Sequence, residues 1–274
     1  MGNSQNSEKI VELAPKDYKL SYSDFVGIGN NGNLWVEDCD VEELVKEYGS
    51  PLLIISESQF RQSFRQFKKA FTDNYNGEVE ILYANKSNNS LALRHIMNQE
   101  GGGGDCFGVN EMYISLLAGT NPKMLVLNGS NKQDEELEMA ITNGLCINID
   151  SMDELTRISD FSTKLNKSVE IGIRLALDLD SLADKTGVFM HGPGTLKEQS
   201  DSTKWGMSRE QTVEIVKSAQ QLENIHLKET HFHLSRMTNE VEPFAVMARE
   251  MVTWSHYIKE NTGWTPPCID IGGG

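Results

Sequence analysis

Residues 80–90, EILYANKSNNS, hold an apolar run, Ile81-Leu82-Tyr83-Ala84, that reads as a buried strand and ends on Lys86. Outward from this stretch the same unit recurs. Apolar strands are expected near residues 81–85, 104–107, 124–128, 146–149, 169–175, 228–234 and 268–271, each but the last followed by helix-like sequence. Three of the helices carry capping-box patterns at their starts: Ser130-x-x-Gln133, Ser151-x-x-Glu154 and Ser208-x-x-Gln211. In DEELEMAITNG, Leu137, Ala140 and Ile141 form an apolar stripe at helical spacing, and Gly144 can end the helix. Near-continuously apolar strands alternating with helices predict a parallel sheet covered by helices, either open or closed into a barrel.

Upstream, residues 1–20 are polar and weakly patterned, and NNGNLWVEDCD reads as a turn followed by a short strand. VEELVKEYGS is expected to be a helix ending at Gly49, and LLIIS, after Pro51, a further strand. The one long irregular stretch is residues 178–206, rich in Gly, Ser and Asp, and loops of that length are often functional.

A chain of 274 residues can bury a large core, and its net charge of −15 disfavours nucleic-acid backbones and anionic membranes as partners. Cys39, Cys106, Cys146 and Cys268 form no CxxC pair, so they are expected to be reduced thiols and not a zinc ribbon or dithiol motif. The amino terminus lacks an apolar signal segment and no run reaches transmembrane length, so a cytoplasmic location is expected.

In parallel α/β folds the site lies at the carboxyl ends of the strands. Lys86, Asp105, Asn128, Asp150, Arg174, His233 and Gly272 fall there, although any one alone could be a solvated loop residue or a helix cap. A partly desolvated lysine can serve as the neutral amine that imine formation requires. In THFHLS, His231 and His233 share one strand face, which suits either a metal pair or one ring lying on a planar cofactor. CIDIGGG runs a strand into Gly272, Gly273 and Gly274, whose bare amides can approach an anion, or which form a flexible turn. GGGGD, before a strand, is no dinucleotide fingerprint. An imine-forming lysine, a stacking ring and a phosphate cradle together match the needs of pyridoxal 5′-phosphate.

From about Asn33 to Gly274 the sequence resembles the barrel-type, alanine-racemase-like pyridoxal-phosphate-dependent amino-acid decarboxylases, in the diaminopimelate decarboxylase branch. YANKSN resembles the family's Y-A-x-K-A-N strand, GGGGDCFGVNEM its second unit with Asp105 and Glu111, and LNGSNKQDEELEMAITNG and INIDSMDEL its third and fourth. IRLALD is similar to the stretch with the pocket arginine, STKWGM to S-K-F-G, HFHLSR to H-x-H-I-G-S, and DIGGG to the phosphate-binding glycines. Gly108 stands where the family usually has Ser, and Ser235-Arg236 where it usually has Gly-Ser.

The resemblance implies Lys86 as the Schiff-base lysine and His233, not His231, as the ring stacking on the cofactor. Asp105, Arg174, Gly272, Gly273 and Gly274 are implied as further cofactor contacts. Arg236 would either add a charged phosphate contact or crowd the site. The implied reaction is decarboxylation of diaminopimelate or a related diamino or basic amino acid, in lysine biosynthesis, by a homodimer. The implied fold is a TIM-type (β/α)8 barrel over residues 59–274 with about seven barrel strands. Residues 21–58 would join a carboxy-terminal β domain that this chain lacks, as it lacks the E-P-G-R strand. The alternatives are a pyridoxal-phosphate-binding relative without activity and a metal-dependent barrel hydrolase using His231 and His233.

Overall fold

A computed structural model describes residues 25–177, 206–233 and 241–273, and the chain divides into two units, Met1–Val79 and Glu80–Gly274. In the first, β1 (Val26–Ile28), β2 (Leu34–Val36) and β3 (Cys39–Asp40) form an antiparallel sheet in that order. The side-chain amides of Asn31 and Asn33 each donate to Asp40 Oδ2 at 2.9 Å. The other Asp40 oxygen caps α1 (Val41–Tyr48) by accepting from Glu42 N at 2.8 Å. Gly49, at φ 86°, ends α1 as expected. The expected strand LLIIS does not form. Residues 52–55 have no regular structure, and Leu53 is 97% exposed. An apolar β-branched run becomes a strand only beside a partner edge, and none pairs with it among the described residues. Ser56 caps the following helix, α2 (Glu57–Thr72), accepting from Gln59 N.

Among the described residues the second unit has seven parallel strands: β4 (Leu82–Ala84), β5 (Gly103–Cys106), β6 (Leu125–Leu127), β7 (Cys146–Ile149), β8 (Val169–Arg174), β9 (Ile225–His231) and β10 (Cys268–Asp270). Their sheet order equals their chain order. A doubly wound sheet reverses direction at a switch point, so the unbroken order decides for the barrel plan, one strand short of eight. Among the described residues β4 and β10 each have a single neighbour. Between the strands lie α3 (Leu91–Gln99), α4 (Val109–Leu117), α5 (Asp134–Asn143), α6 (Met152–Leu165), α7 (Arg209–Ala219) and α8 (Glu242–Thr262). None of the described helices is long and apolar enough to cross a membrane.

The strands are two-faced. One face, with Leu125, Leu127, Ile147, Ile149, Ile171 and Ile173, packs with Leu137, Ile141, Leu155, Ile158, Ile215 and Trp254 of the helices in one apolar core. Each such side chain, fully buried, contributes about 1.5–3 kcal/mol. The opposite face is polar, carrying Asp105, Asn148 and Glu229. A methyl group on Gly172 would sit 1.7 Å from Asn148 Oδ1 and 2.6 Å from Glu229 Cγ, so these side chains meet across three strands. Lys228 is an extra residue in β9, opposite the step from Ile171 to Gly172.

Two helix starts follow the expected caps: Ser151 accepts from Glu154 N, and Ser208 and Gln211 form a reciprocal box. The third does not. The helix after β6 is capped by Gln133 with Glu136, because Ser130 Oγ donates instead to Asp150 Oδ2 at 2.6 Å.

Candidate active site

Because the strands are parallel, their carboxyl ends lie at one end of the sheet. β4 ends in a short 3₁₀ turn, Asn85–Ser87, which projects Lys86. Lys86 is exposed, and Nζ lies 4.6 Å from the centre of the Phe107 ring, just past β5. It is therefore shielded on one side by an aromatic face and not enclosed in an apolar pocket.

Asp105, on β5, accepts from Asn128 Nδ2 at the end of β6, 2.6 Å away. Burial pushes its carboxyl up to about 7. The Asn128 hydrogen bond opposes the rise, the Asp270 carboxylate adds to it, and Lys86 counters it. A group so placed exchanges protons near neutrality.

Arg174 ends β8 in register with His231, which is also in register with Asp270 of β10. Burial lowers the Arg174 pKa, while Asp150 and then Asp105 hold it up. His231 is 5% exposed and is pushed down to about 4 by burial, against Asp270 and with help from Arg174. Its imidazole is neutral at pH 7, and among the described residues Nδ1 has no hydrogen-bond partner.

Two residues on, His233 Nδ1 accepts a long hydrogen bond from Gly273 N at 3.4 Å. Gly272 has φ 63°, and its amide donates to Asp270 Oδ1 at 2.8 Å. A Cβ at Gly272 would sit 2.4 Å from Phe232 O and 3.0 Å from His233 Cα, whereas one at Gly273 meets nothing within 4 Å among the described residues. Only glycine allows this turn to cross the His233 backbone.

The structure thus brings Lys86, Asp105, Arg174, His233, Gly272 and Gly273 to the strand ends. Arg236 and Gly274 lie outside the described residues. The residues present fit a planar cofactor bearing an aldehyde and a phosphate: a primary amine, an imidazole beside a glycine turn, and a backbone that a Cβ would close. Among the described residues no three His, Cys, Asp or Glu side chains are grouped as a metal ion would need. Sequence reasoning missed Phe107, Asn85 and Glu229. Phe107 was within reach, since it has the same strand parity as Asp105. Asn85 and Glu229 gave no signal, because their partners come from distant strands.

Residues 57–274 match the family model for the pyridoxal-dependent decarboxylase, pyridoxal binding domain. The diaminopimelate decarboxylase of Archaeoglobus fulgidus is 32% identical over 248 residues, which cover 89% of this chain and 55% of that protein. That of Methanothermobacter thermautotrophicus is 28% identical over 249 residues, 91% of this chain and 55% of the relative. The crystal structure of diaminopimelate decarboxylase from Methanocaldococcus jannaschii superposes with a TM-score of 0.83 at 25% identity, covering 92% of this chain and 57% of that one. The chain spans about half the length of the curated relatives it matches. With a family match over most of its length and a cofactor-shaped site at the strand ends, the chain belongs to the family of pyridoxal-dependent decarboxylases, through their pyridoxal binding domain.

Proposed function

We propose that this chain is the cofactor-binding part of a pyridoxal-phosphate-dependent carboxy-lyase. Its substrate is an amino acid: diaminopimelate or a related diamino or basic amino acid. The observation that carries the reading is the convergence of Lys86, His233 and the Gly272–Gly273 turn at one end of a parallel sheet. The relatives named diaminopimelate decarboxylase support the substrate class.

Bound pyridoxal 5′-phosphate supplies an electron-accepting ring that takes up the electron pair left by a departing carboxylate. The chain's own residues bind and orient. Lys86 Nζ is the amine that holds the cofactor aldehyde, and Phe107 limits its sweep. The His233 imidazole, whose Nδ1 accepts from Gly273 N, would stack on the cofactor. The Gly272–Gly273 turn would hold the phosphate, its two amides exchanging their present acceptors, Asp270 Oδ1 and His233 Nδ1, for phosphate oxygens. The Asp105 carboxyl, anchored through Oδ1 by Asn128, holds or releases a proton near pH 7. Burial keeps the His231 ring neutral, and the positive charge of Arg174 nearby adds to that. Arg236, standing where the family usually has Ser, is a further candidate for a charged phosphate contact.

The same reading puts the protein in the cytoplasm as half of a homodimer. The free thiols Cys39, Cys106, Cys146 and Cys268 suit a reducing compartment, and sedimentation of the enzyme tests the dimer. The functional test is release of carbon dioxide from diaminopimelate, lysine, ornithine and arginine by the whole enzyme of which this chain is the cofactor-binding part, with added pyridoxal phosphate. Turnover of at least one is expected. Cofactor bound at Lys86 with no carbon dioxide from any of the four would overturn the activity.

A further inference from the structure

The turn that presents Lys86 is held from beneath by the residue before it. Asn85 is fully buried, and its Nδ2 donates to Ser115 Oγ of α4 at 2.9 Å and to Cys106 Sγ of β5 at 3.1 Å. The direction of the first bond is fixed, because the single Ser115 hydroxyl proton is committed to Glu111 O at 2.8 Å. Glu111 in turn closes a circuit. Its Oε2 accepts from Phe107 N at 2.7 Å, and the Phe107 ring is the surface on which Lys86 Nζ rests. Two neighbours on one element, Asn85 and Lys86, are therefore tied to two neighbours on the next, Cys106 and Phe107. The buried tie is polar and the exposed one is cation–π. A fully buried amide with both protons engaged is costly to disconnect, whereas an exposed lysine over a ring is weakly held by itself.

We infer that Asn85 is a positioning residue for Lys86, fixing the turn through Ser115 and Cys106 so that the amine stands against Phe107 at the mouth of the cofactor site. This rests on the reading of Lys86 as the amine that holds the cofactor. The arrangement gives Lys86 a short tether on one side only, so the amine can swing from the ring into the site without the turn unwinding. Burial pushes the Cys106 thiol up to about 12, so it remains a neutral acceptor at working pH and the tie does not titrate.

The test compares the native protein with Asn85→Leu, Ser115→Ala and the double variant. The first readout needs no cofactor: the rate at which formaldehyde and cyanoborohydride methylate Lys86, mapped by mass spectrometry. Lys164 is the internal reference, an exposed lysine whose Nζ lies 5.4 Å from the Phe161 ring centre. Loss of the tie frees Lys86 from its ring, and its relative rate rises about threefold in Asn85→Leu. The second readout is the dissociation constant for pyridoxal phosphate, expected to rise about tenfold. In the double variant both polar partners are gone, so urea stability returns toward native while the Lys86 rate stays raised. A merely structural Asn85 would move stability and leave the rate alone. Should Asn85→Leu not fold, Ser115→Ala decides, with the same direction and a smaller size. A native relative rate in the folded variant overturns the inference. If the native protein takes up no pyridoxal phosphate but the rates still differ, the cofactor reading fails and the positioning role stands.

Discussion

Lys132 and Glu154 form an ion pair at 2.8 Å with side chains only 1% and 3% exposed, and breaking it is expected to be costly in an uneven way. Lys132 Nζ has a second acceptor, Gly129 O, at 2.6 Å. Glu154 keeps two backbone donors besides the lysine head, Lys132 N and Asp150 N, both at 3.2 Å. Lys132→Met therefore leaves a carboxylate with two hydrogen bonds. Glu154→Leu leaves a buried ammonium with a single carbonyl. Removing one partner of a buried pair costs about 3–5 kcal/mol, so Lys132→Met belongs at the lower end and Glu154→Leu at the upper. Replacing both gives an apolar pair of similar volume, and the double variant is expected to recover about 2 kcal/mol or more relative to the sum of the singles. The assay is urea unfolding of the native protein and the three variants under one buffer. The pair also fastens the loops after β6 and β7, which carry Asn128 and Asp150, so cofactor affinity should fall with stability in the single variants. Additive effects, or a Lys132→Met variant within about 0.5 kcal/mol of native, would refute this account of the pair.

Gly272→Ala forces a methyl group to 2.4 Å from Phe232 O in a left-handed backbone, so cofactor affinity should drop by more than about tenfold. Gly273→Ala, in open space, should leave urea stability unchanged, and equal stability losses in the two would contradict the cradle geometry. His231 sets a pH dependence. Its folded pKa of about 4 lies below the ordinary 6.5, so the unfolded chain binds the extra proton between those values and stability falls as pH drops through that window. On the order of 3 kcal/mol is at stake, present above pH 6.5 and lost toward pH 4. Asp105, pushed up to about 7 by burial, and Glu229, raised likewise, contribute in the opposite sense over the same range. His231→Gln should therefore shift the pH dependence of urea midpoints between pH 7 and 4 toward greater stability at the acid end, and an unchanged dependence would show that His231 makes no such contribution.

The barrel plan was legible because each βα unit writes its own boundary. Gly144 stops one helix at a left-handed φ of 77°, Ser151 and Ser208 start others, and Lys86 stands where an apolar strand stops. The errors fall where a local signal depends on a distant group. Ser130 has the chemistry of a cap, but the Asp150 carboxylate on the next loop takes its hydroxyl, and the cap falls three residues later at Gln133. LLIIS has strand composition, yet no neighbouring strand offers hydrogen bonds among the described residues. The polar face of the sheet was hidden for another reason. Asp105, Asn148 and Glu229 are single polar residues in separate strands, and only the parallel register, with Gly172 clearing space, brings Asn148 and Glu229 together. The strand-end placement of Lys86, His233, Gly272 and Gly273 was legible because their order along the chain repeats the order of the strands in the sheet.

The central claim is that Lys86 holds pyridoxal phosphate at the strand ends, and peptide mapping after borohydride reduction tests it most directly. The protein is incubated with pyridoxal phosphate, reduced, digested and analysed by mass spectrometry. The expected result is a single reduced adduct on Lys86, abolished in Lys86→Ala and strongly diminished in His233→Ala but not in His231→Ala. An adduct confined to another lysine, or none in a protein shown by circular dichroism to be folded, would contradict the account.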